Sequence, residues 1–348
     1  MTQRPERRTE TWKNRVGWLV GANFAPSTAV NQLEMWQADT FDLPTIEREL
    51  SWAADLGFNS MRVFLHDLLW KQDERGFVER VHRFLDVSDR HGIGAVFVLF
   101  DGVWNPHVEL GPQPAPRPHV HNSGWVQGPG AAVLGSPERH DELEPYVQGI
   151  LSAFAGDRRV HAWDLFNEPD NPNPVYNADE VPDKAEMALA LLEKALRWAR
   201  EVDPSQPLTC GVWFGDWSTP ASLRPIERLS LESSDVISFH SYAPVEEVKE
   251  RVAHLRRYGK PLLCTEYMSR TSGSTFDPVL GYFREQGVGA YNWGFVAGRS
   301  QTIYPWDSWA KEYSGEPALW FHDILRADGS PYDATEVEYI RRTAGPSR

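Results

Sequence analysis

Eight short apolar runs punctuate this 348-residue chain, and segments of helical periodicity separate most of them. The runs cover residues 18–24, 60–65, 94–100, 160–166, 207–212, 236–240, 261–266 and 289–293. They read as buried strands of the kind found in parallel sheets. Amphipathic helices are expected over 44–56, 78–91, 182–202 and 245–258, among others. Pro44 and Pro182 sit where a first helical turn tolerates proline, and Gly57, Gly92 and Gly259 follow three of the helices as stop signals. Eight such alternations predict a parallel sheet closed into a (β/α)8 barrel. The competing arrangement is a doubly wound open sheet. It would favour a glycine-rich turn after the first strand, where this chain has Asn23-Phe24-Ala25-Pro26.

Three insertions interrupt the regular spacing. They cover 27–42 after strand 1, 101–137 after strand 3 and 294–317 after strand 8. Each follows a strand and precedes a helix, which places it on the C-terminal face of a barrel, where the active sites of such enzymes lie. The second insertion carries seven prolines together with Trp104, Trp125, His107, His119 and His121. Residues 318–326 are expected to form the closing helix and 335–342 a terminal helix. With 1–15 as an N-terminal extension and 327–348 as a terminal helix and tail, the chain reads as one catalytic domain over 1–348.

Composition narrows the partners. A formal charge of −14 disfavours nucleic acid and anionic membrane surfaces. No apolar run reaches the roughly 20 residues that cross a bilayer. The first ten residues carry basic side chains with no apolar stretch behind them, and Cys210 and Cys264 each lie within an apolar run. Both features lead to the expectation of a cytoplasmic protein with reduced, buried cysteines. The 15 tryptophans are more telling, because many fall in proline- and glycine-rich segments. They point to an aromatic-lined surface, and sugar C–H faces stack well on aromatic rings.

Two glutamates end strands: Glu168 in Asn167-Glu168-Pro169 closes the fourth, and Glu266 in Thr265-Glu266-Tyr267 closes the seventh. Strands 4 and 7 lie roughly opposite each other in an eight-strand ring, so the two carboxyl groups can converge over its mouth. Glycosidic-bond cleavage needs such a pair, one protonated and one ionised. Arg62 shares side-chain parity with Phe64 and His66, which points it inward where it would hold Glu266 ionised. Tyr242, after strand 6, could donate a hydrogen bond to the same carboxylate.

With Asn167-Glu168-Pro169 after strand 4, Glu266 ending strand 7, Arg62 in strand 2, His240 and Tyr242 after strand 6 and Trp293 ending strand 8, the chain resembles the retaining glycoside hydrolases built on (β/α)8 barrels. The family 5 cellulase-like and xylanase-like enzymes are the nearest in pattern. The resemblance implies that Glu168 is the general acid/base and Glu266 the nucleophile. It implies that Asn167 bonds the 2-hydroxyl, that Arg62 and Tyr242 orient Glu266, that His240 lines the same subsite and that Trp293 floors it. It also implies cofactor-free hydrolysis of a β-linked oligo- or polysaccharide of xylan, glucan or mannan type. The chain departs from many such relatives at the end of strand 3, where Asp101-Gly102-Val103-Trp104 stands in place of a histidine.

Further sugar contacts are expected from Trp36, Trp104, Trp125, Trp213, Trp306, His66, Asp101 and Asn23. The loop histidines read as hydrogen-bonding or solvated residues and not as metal ligands, since no cysteine or acidic cluster completes a set. The long loops suggest a pocket-like site that acts from one chain end or on oligosaccharides. Two alternatives come from other classes. A carbohydrate-binding protein without catalysis would not require both glutamates and Arg62, and a metal-dependent barrel hydrolase would favour a His-x-His pair at strand 1.

Overall fold

The computed structural model describes residues 5–345. The strands are β1 (Val20–Asn23), β2 (Ser60–Phe64), β3 (Gly94–Asp101), β4 (Val160–Asn167), β5 (Leu208–Thr209), β6 (Ile237–His240), β7 (Leu262–Tyr267) and β8 (Gly289–Asn292). All pairings are parallel, in the order β5-β4-β3-β2-β1-β8-β7-β6. The ring closes between β5 and β6 through Val212, which bridges to Phe239 just past the end of the two-residue β5. The Val212 amide donates to the Ser238 carbonyl, and the Thr209 and Ser238 hydroxyls share a 2.7 Å hydrogen bond. The chain thus forms the (β/α)8 barrel expected from its strand count.

Strand parity sorts the side chains. Met61, Val63 and Leu65 join the apolar layer between sheet and helices, whereas Arg62 and Phe64 point into the ring. Lower in the barrel, Val96, Ala162, Leu263 and Tyr291 fill the interior, capped from below by Trp12. Trp12 belongs to a helix, Pro5–Val16, within the stretch expected to be an extension, and its indole N–H donates to the His161 carbonyl at 2.6 Å. Residues 1–4 and 346–348 of the expected extension and tail lie outside the described residues.

Two expectations are corrected here. The segment 318–326 is not a helix. Leu325 instead bridges to Val296 and Pro331, and backbone bonds tie Ile324 and Leu325 to Phe295. Phe321, His322, Asp323 and Ile324 are all buried in succession, which a one-faced helix cannot do. The helix after β8 is Ala334–Ala344. The helix expected over 78–91 begins earlier, at Asp67, and bends at Asp73, whose φ/ψ is non-helical. Cys210 and Cys264 are free and buried. Among the described residues no helix is long and apolar enough to cross a membrane.

Candidate active site

Arg62 organises the mouth of the barrel. Its side chain is fully buried, and it makes five hydrogen bonds. Nε and Nη2 donate to Oδ2 of Asp164 at 3.1 and 2.8 Å, and Nη2 also donates to Oδ1 of Asn167 at 2.7 Å. Nη1 donates to Oδ1 of Asn23 at 2.8 Å and to Oε1 of Glu266 at 3.0 Å. A planar fork of donors suits this shared duty, and each buried charge meets an opposite one. Asp164 was not foreseen, although an acid inside the otherwise apolar run of β4 was a signal for it.

Glu266 accepts its second hydrogen bond from the Tyr242 hydroxyl, at 2.7 Å to Oε2. Glu168 meets different partners: His240 Nδ1 lies 2.7 Å from Oε1, and Asn171 Nδ2 donates to Oε2 at 2.6 Å. One carboxylate oxygen of each glutamate and a ring nitrogen of His240 fall within 4.8 Å of one another. A cation could share such donors, but here they bond to one another and to Arg62 and Tyr242.

The two environments differ in charge. Burial pushes Glu168 up to about 7, against the hydrogen bond from the neutral amide of Asn171 and the fields of Arg62 and Lys184. Burial also raises Glu266, and nearby Glu168 adds to the rise, while His240, Arg62 and the Tyr242 hydroxyl oppose it. A proton held by the pair therefore belongs on Glu168, which has no cation in hydrogen-bond contact. Burial lowers His240 to about 4, so its ring is neutral at pH 7.

Backbone placement sharpens the acid side. Glu168 has a φ of +40°, in the left-handed region that non-glycine residues seldom occupy. Gly102 packs against it, and a Cβ added there would stand 2.4 Å from the Glu168 carbonyl oxygen. Beside it, Asp101 accepts from Asn167 Nδ2 at 2.9 Å and from the Trp125 indole at 2.7 Å. Asp101 and Asn23 are thus engaged in fixing Asn167 and Arg62.

The aromatic residues divide. Trp293 and Trp125 meet Phe64 edge-on, at 5.7 and 5.3 Å between ring centroids, beside Arg62. Trp306, 42% exposed, packs edge-on against Tyr242 at 5.1 Å. Trp104 stacks on Trp309 at 5.6 Å. Trp213 donates its indole N–H to Asp170, two residues beyond Glu168. Two expected sugar contacts are corrected. Trp36 is completely buried between Phe41, Phe77 and Phe84, with its N–H on the Phe64 carbonyl. His66, also buried, caps the helix that starts at Asp67: Nδ1 accepts from the Leu68 amide and Nε2 meets the Gln127 carbonyl. Asp67, 7% exposed, stands beside it.

The loop histidines bond to carbonyls or to an exposed acid: His119 to Tyr313, His121 to Tyr304, and His107 to Asp179. These contacts help to sew the insertions together. The Gln301 side chain binds the backbone of 117–120, the Asn122 amide donates to Ser300, and the Trp309 indole donates to the His121 carbonyl. From the first insertion, Asn31 donates to Gly124, and Glu34 pairs with Arg299. A larger hollow of about 810 Å³ lies at the opposite end, beside Trp12 and Lys13, and none of these site residues lines it.

No protein-family model matches the sequence, and no curated protein matches it. Solved structures do match. The chain is similar to the β-mannanase of the blue mussel Mytilus edulis, with TM-score 0.57 and 17% identity over 84% of this chain and 89% of that one. The shared fold is the (β/α)8 barrel. The GH5_18 protein of Streptomyces cattleya, solved with Manβ1-4GlcNAc, gives TM-score 0.61 and 15% identity over 95% and 82%. The exo-β-1,4-mannosidase of an Opitutaceae bacterium gives 0.60 and 19% over 94% of this chain and 59% of that one.

Proposed function

We propose that this protein is a retaining β-glycoside hydrolase that works by double displacement, with Glu168 as acid/base and Glu266 as nucleophile. The observation that carries the reading is the approach of these two carboxyl groups within 4.8 Å, one against a guanidinium and the other against neutral partners. Carboxyl groups this close suit direct attack by the second carboxylate and leave little space for the intervening water that inversion requires.

In the first step Glu168 gives its proton to the glycosidic oxygen as the C1–O bond breaks, and Glu266 Oε2 or Oε1 forms an ester with C1. In the second, Glu168 takes a proton from water, the oxygen attacks C1 and Glu266 leaves as carboxylate. To Asn167, fixed between Arg62 and Asp101, we assign the bond to the sugar's 2-hydroxyl. Tyr242 and Arg62 orient the nucleophile, His240 lines the same subsite and Trp293 provides the floor.

For the substrate we infer a short β-linked oligosaccharide entered from its non-reducing end. The sewing of the three insertions across one side of the mouth supports this. β-Mannosides are the first to test, since the neighbouring structures are named as mannanases and a mannosidase. Release of nitrophenol from aryl β-glycosides gives the assay. Glu266→Ala and Glu168→Ala are each expected to lose at least a thousandfold in turnover. Azide should rescue the former as the inverted glycosyl azide and the latter as the retained one. Full activity in both variants refutes the assignment.

A further inference from the structure

A cavity of about 30 Å³ lies beside the proposed sugar floor, against the sewn insertions. Its lining combines the aromatic rings of Phe64, Trp125 and Trp293 with the polar side chains of Asn122, Thr302 and Asp323. Asn122 is 1% exposed, and neither its amide oxygen nor its amide nitrogen has a hydrogen-bond partner. Burying an amide in that condition is unfavourable unless a ligand or an ordered water bonds it. Thr302 and Asp323 are differently placed: the Thr302 hydroxyl bonds both Asp323 oxygens, at 2.9 and 2.8 Å. Asn23 is engaged at both ends of its amide, and Ser300 reaches only Thr302, at 3.5 Å, so the side-chain amide of Asn122 is the group in the lining with both a donor and an acceptor unpartnered.

Both ends of the Asn122 environment are fixed. Its backbone N–H is bound to Ser300, its carbonyl accepts from the Trp125 amide, and its φ is +50°. The amide is thus presented by a rigid corner and not by a mobile loop tip.

The geometry points to this cavity as the seat of the exocyclic hydroxymethyl group of the sugar cleaved from the non-reducing end. A single water needs roughly 10–15 Å³ of such space. The volume here holds about two heavy atoms, and the mixed lining offers rings to a CH₂ and the amide to an O–H, which donates and accepts at once. The inference rests on the glycosidase reading above and adds that hexosides are selected over sugars that lack this group.

The test compares kcat/KM within two pairs of substrates. The first is p-nitrophenyl β-D-mannopyranoside against the 6-deoxy β-D-rhamnopyranoside, and the second is the β-D-glucopyranoside against the β-D-xylopyranoside. In whichever pair is hydrolysed, the unmodified enzyme is expected to favour the hexoside on the order of tenfold to a hundredfold. Asn122→Ala, and separately Asn122→Asp as the variant of similar shape, should draw that ratio towards one by slowing the hexoside. The ratio does not depend on the fraction of folded enzyme. A ratio near one in the unmodified enzyme overturns the inference, as does a ratio unchanged in both variants, which marks a cavity that holds only water. Either result leaves the glycosidase reading in place. Hydrolysis of neither pair removes both.

Discussion

Arg62 divides one positive charge between Asp164 and Glu266, and that division controls how strongly the proposed nucleophile is held as an anion. Replacing Asp164 with Asn frees more of the guanidinium's field for Glu266 and lowers its carboxyl. The acidic limb of kcat/KM is therefore expected to move to lower pH by on the order of one unit, with the basic limb unmoved. The basic limb follows Glu168 as the proposed acid. Since burial places it at about 7, kcat/KM for a glycoside with a poor leaving group should fall about tenfold per unit above that pH. A pH profile in which Asp164→Asn leaves the acidic limb in place would contradict this arrangement. At this scale the sequence was informative where residue type and position in a strand coincide: parity pointed Arg62 inward, and strand-end position brought Glu168 and Glu266 to the mouth. It misled at His66 and Trp36, since a helix cap and an aromatic core look the same in sequence as a sugar platform. Asn122 was invisible, because nothing in a loop sequence says that an amide will be buried without a partner.

Among the elements, the ends of β3 and β4 are locked against each other. Gly102 donates its amide to the Asn167 carbonyl, and its missing side chain makes room for the left-handed turn at Glu168. The atoms that a Cβ would strike are backbone, so Gly102→Ala must displace the acid and not merely a rotamer. Turnover is expected to drop on the order of a hundredfold, as for a misplacement of about 1 Å, while circular dichroism still reports the barrel. Wild-type turnover in that variant would show that the acid does not depend on this packing. The strands were legible to within a residue or two at most ends because their apolar runs are bounded by glycine, proline and charge. The segment 318–326 was not, because its apolar spacing fits a helix, and only contact with the loop after β8 decides that it is irregular instead.

Across the whole molecule, buried acids and buried histidines titrate in opposite senses. Glu49 and Glu168 are raised to about 7 and Asp101 and Asp323 to about 6, whereas His121, His161 and His240 are lowered to about 4. An acid with a raised folded-state pKa contributes stability at low pH that is lost as pH rises from its unfolded value to its folded one. A histidine with a lowered pKa contributes stability that is lost as pH falls below about 6.5. The two sets offset each other between pH 5 and 7. A single replacement uncovers one of them: Glu49→Gln, at a side chain that bonds Ser27 and none of the proposed site residues, mimics the protonated acid and should gain in melting temperature relative to the parent between pH 5 and 8. A constant difference across that range would show that Glu49 does not hold its proton on folding.

The bridge at Val212 has a consequence for catalysis as well as closure. It lies where β5 gives way to β6, so it separates the half of the ring that carries residue 168 from the half that carries residue 266. That bridge, the Thr209–Ser238 hydroxyl pair, the backbone bonds from Asp235 to Leu208 and from His240 to Val212, and the His240–Glu168 contact clasp the two sides across this joint. The gap that the reaction must span is thus set at the thinnest joint of the wall, and whatever tightens or slackens this clasp acts on both carboxyl groups together.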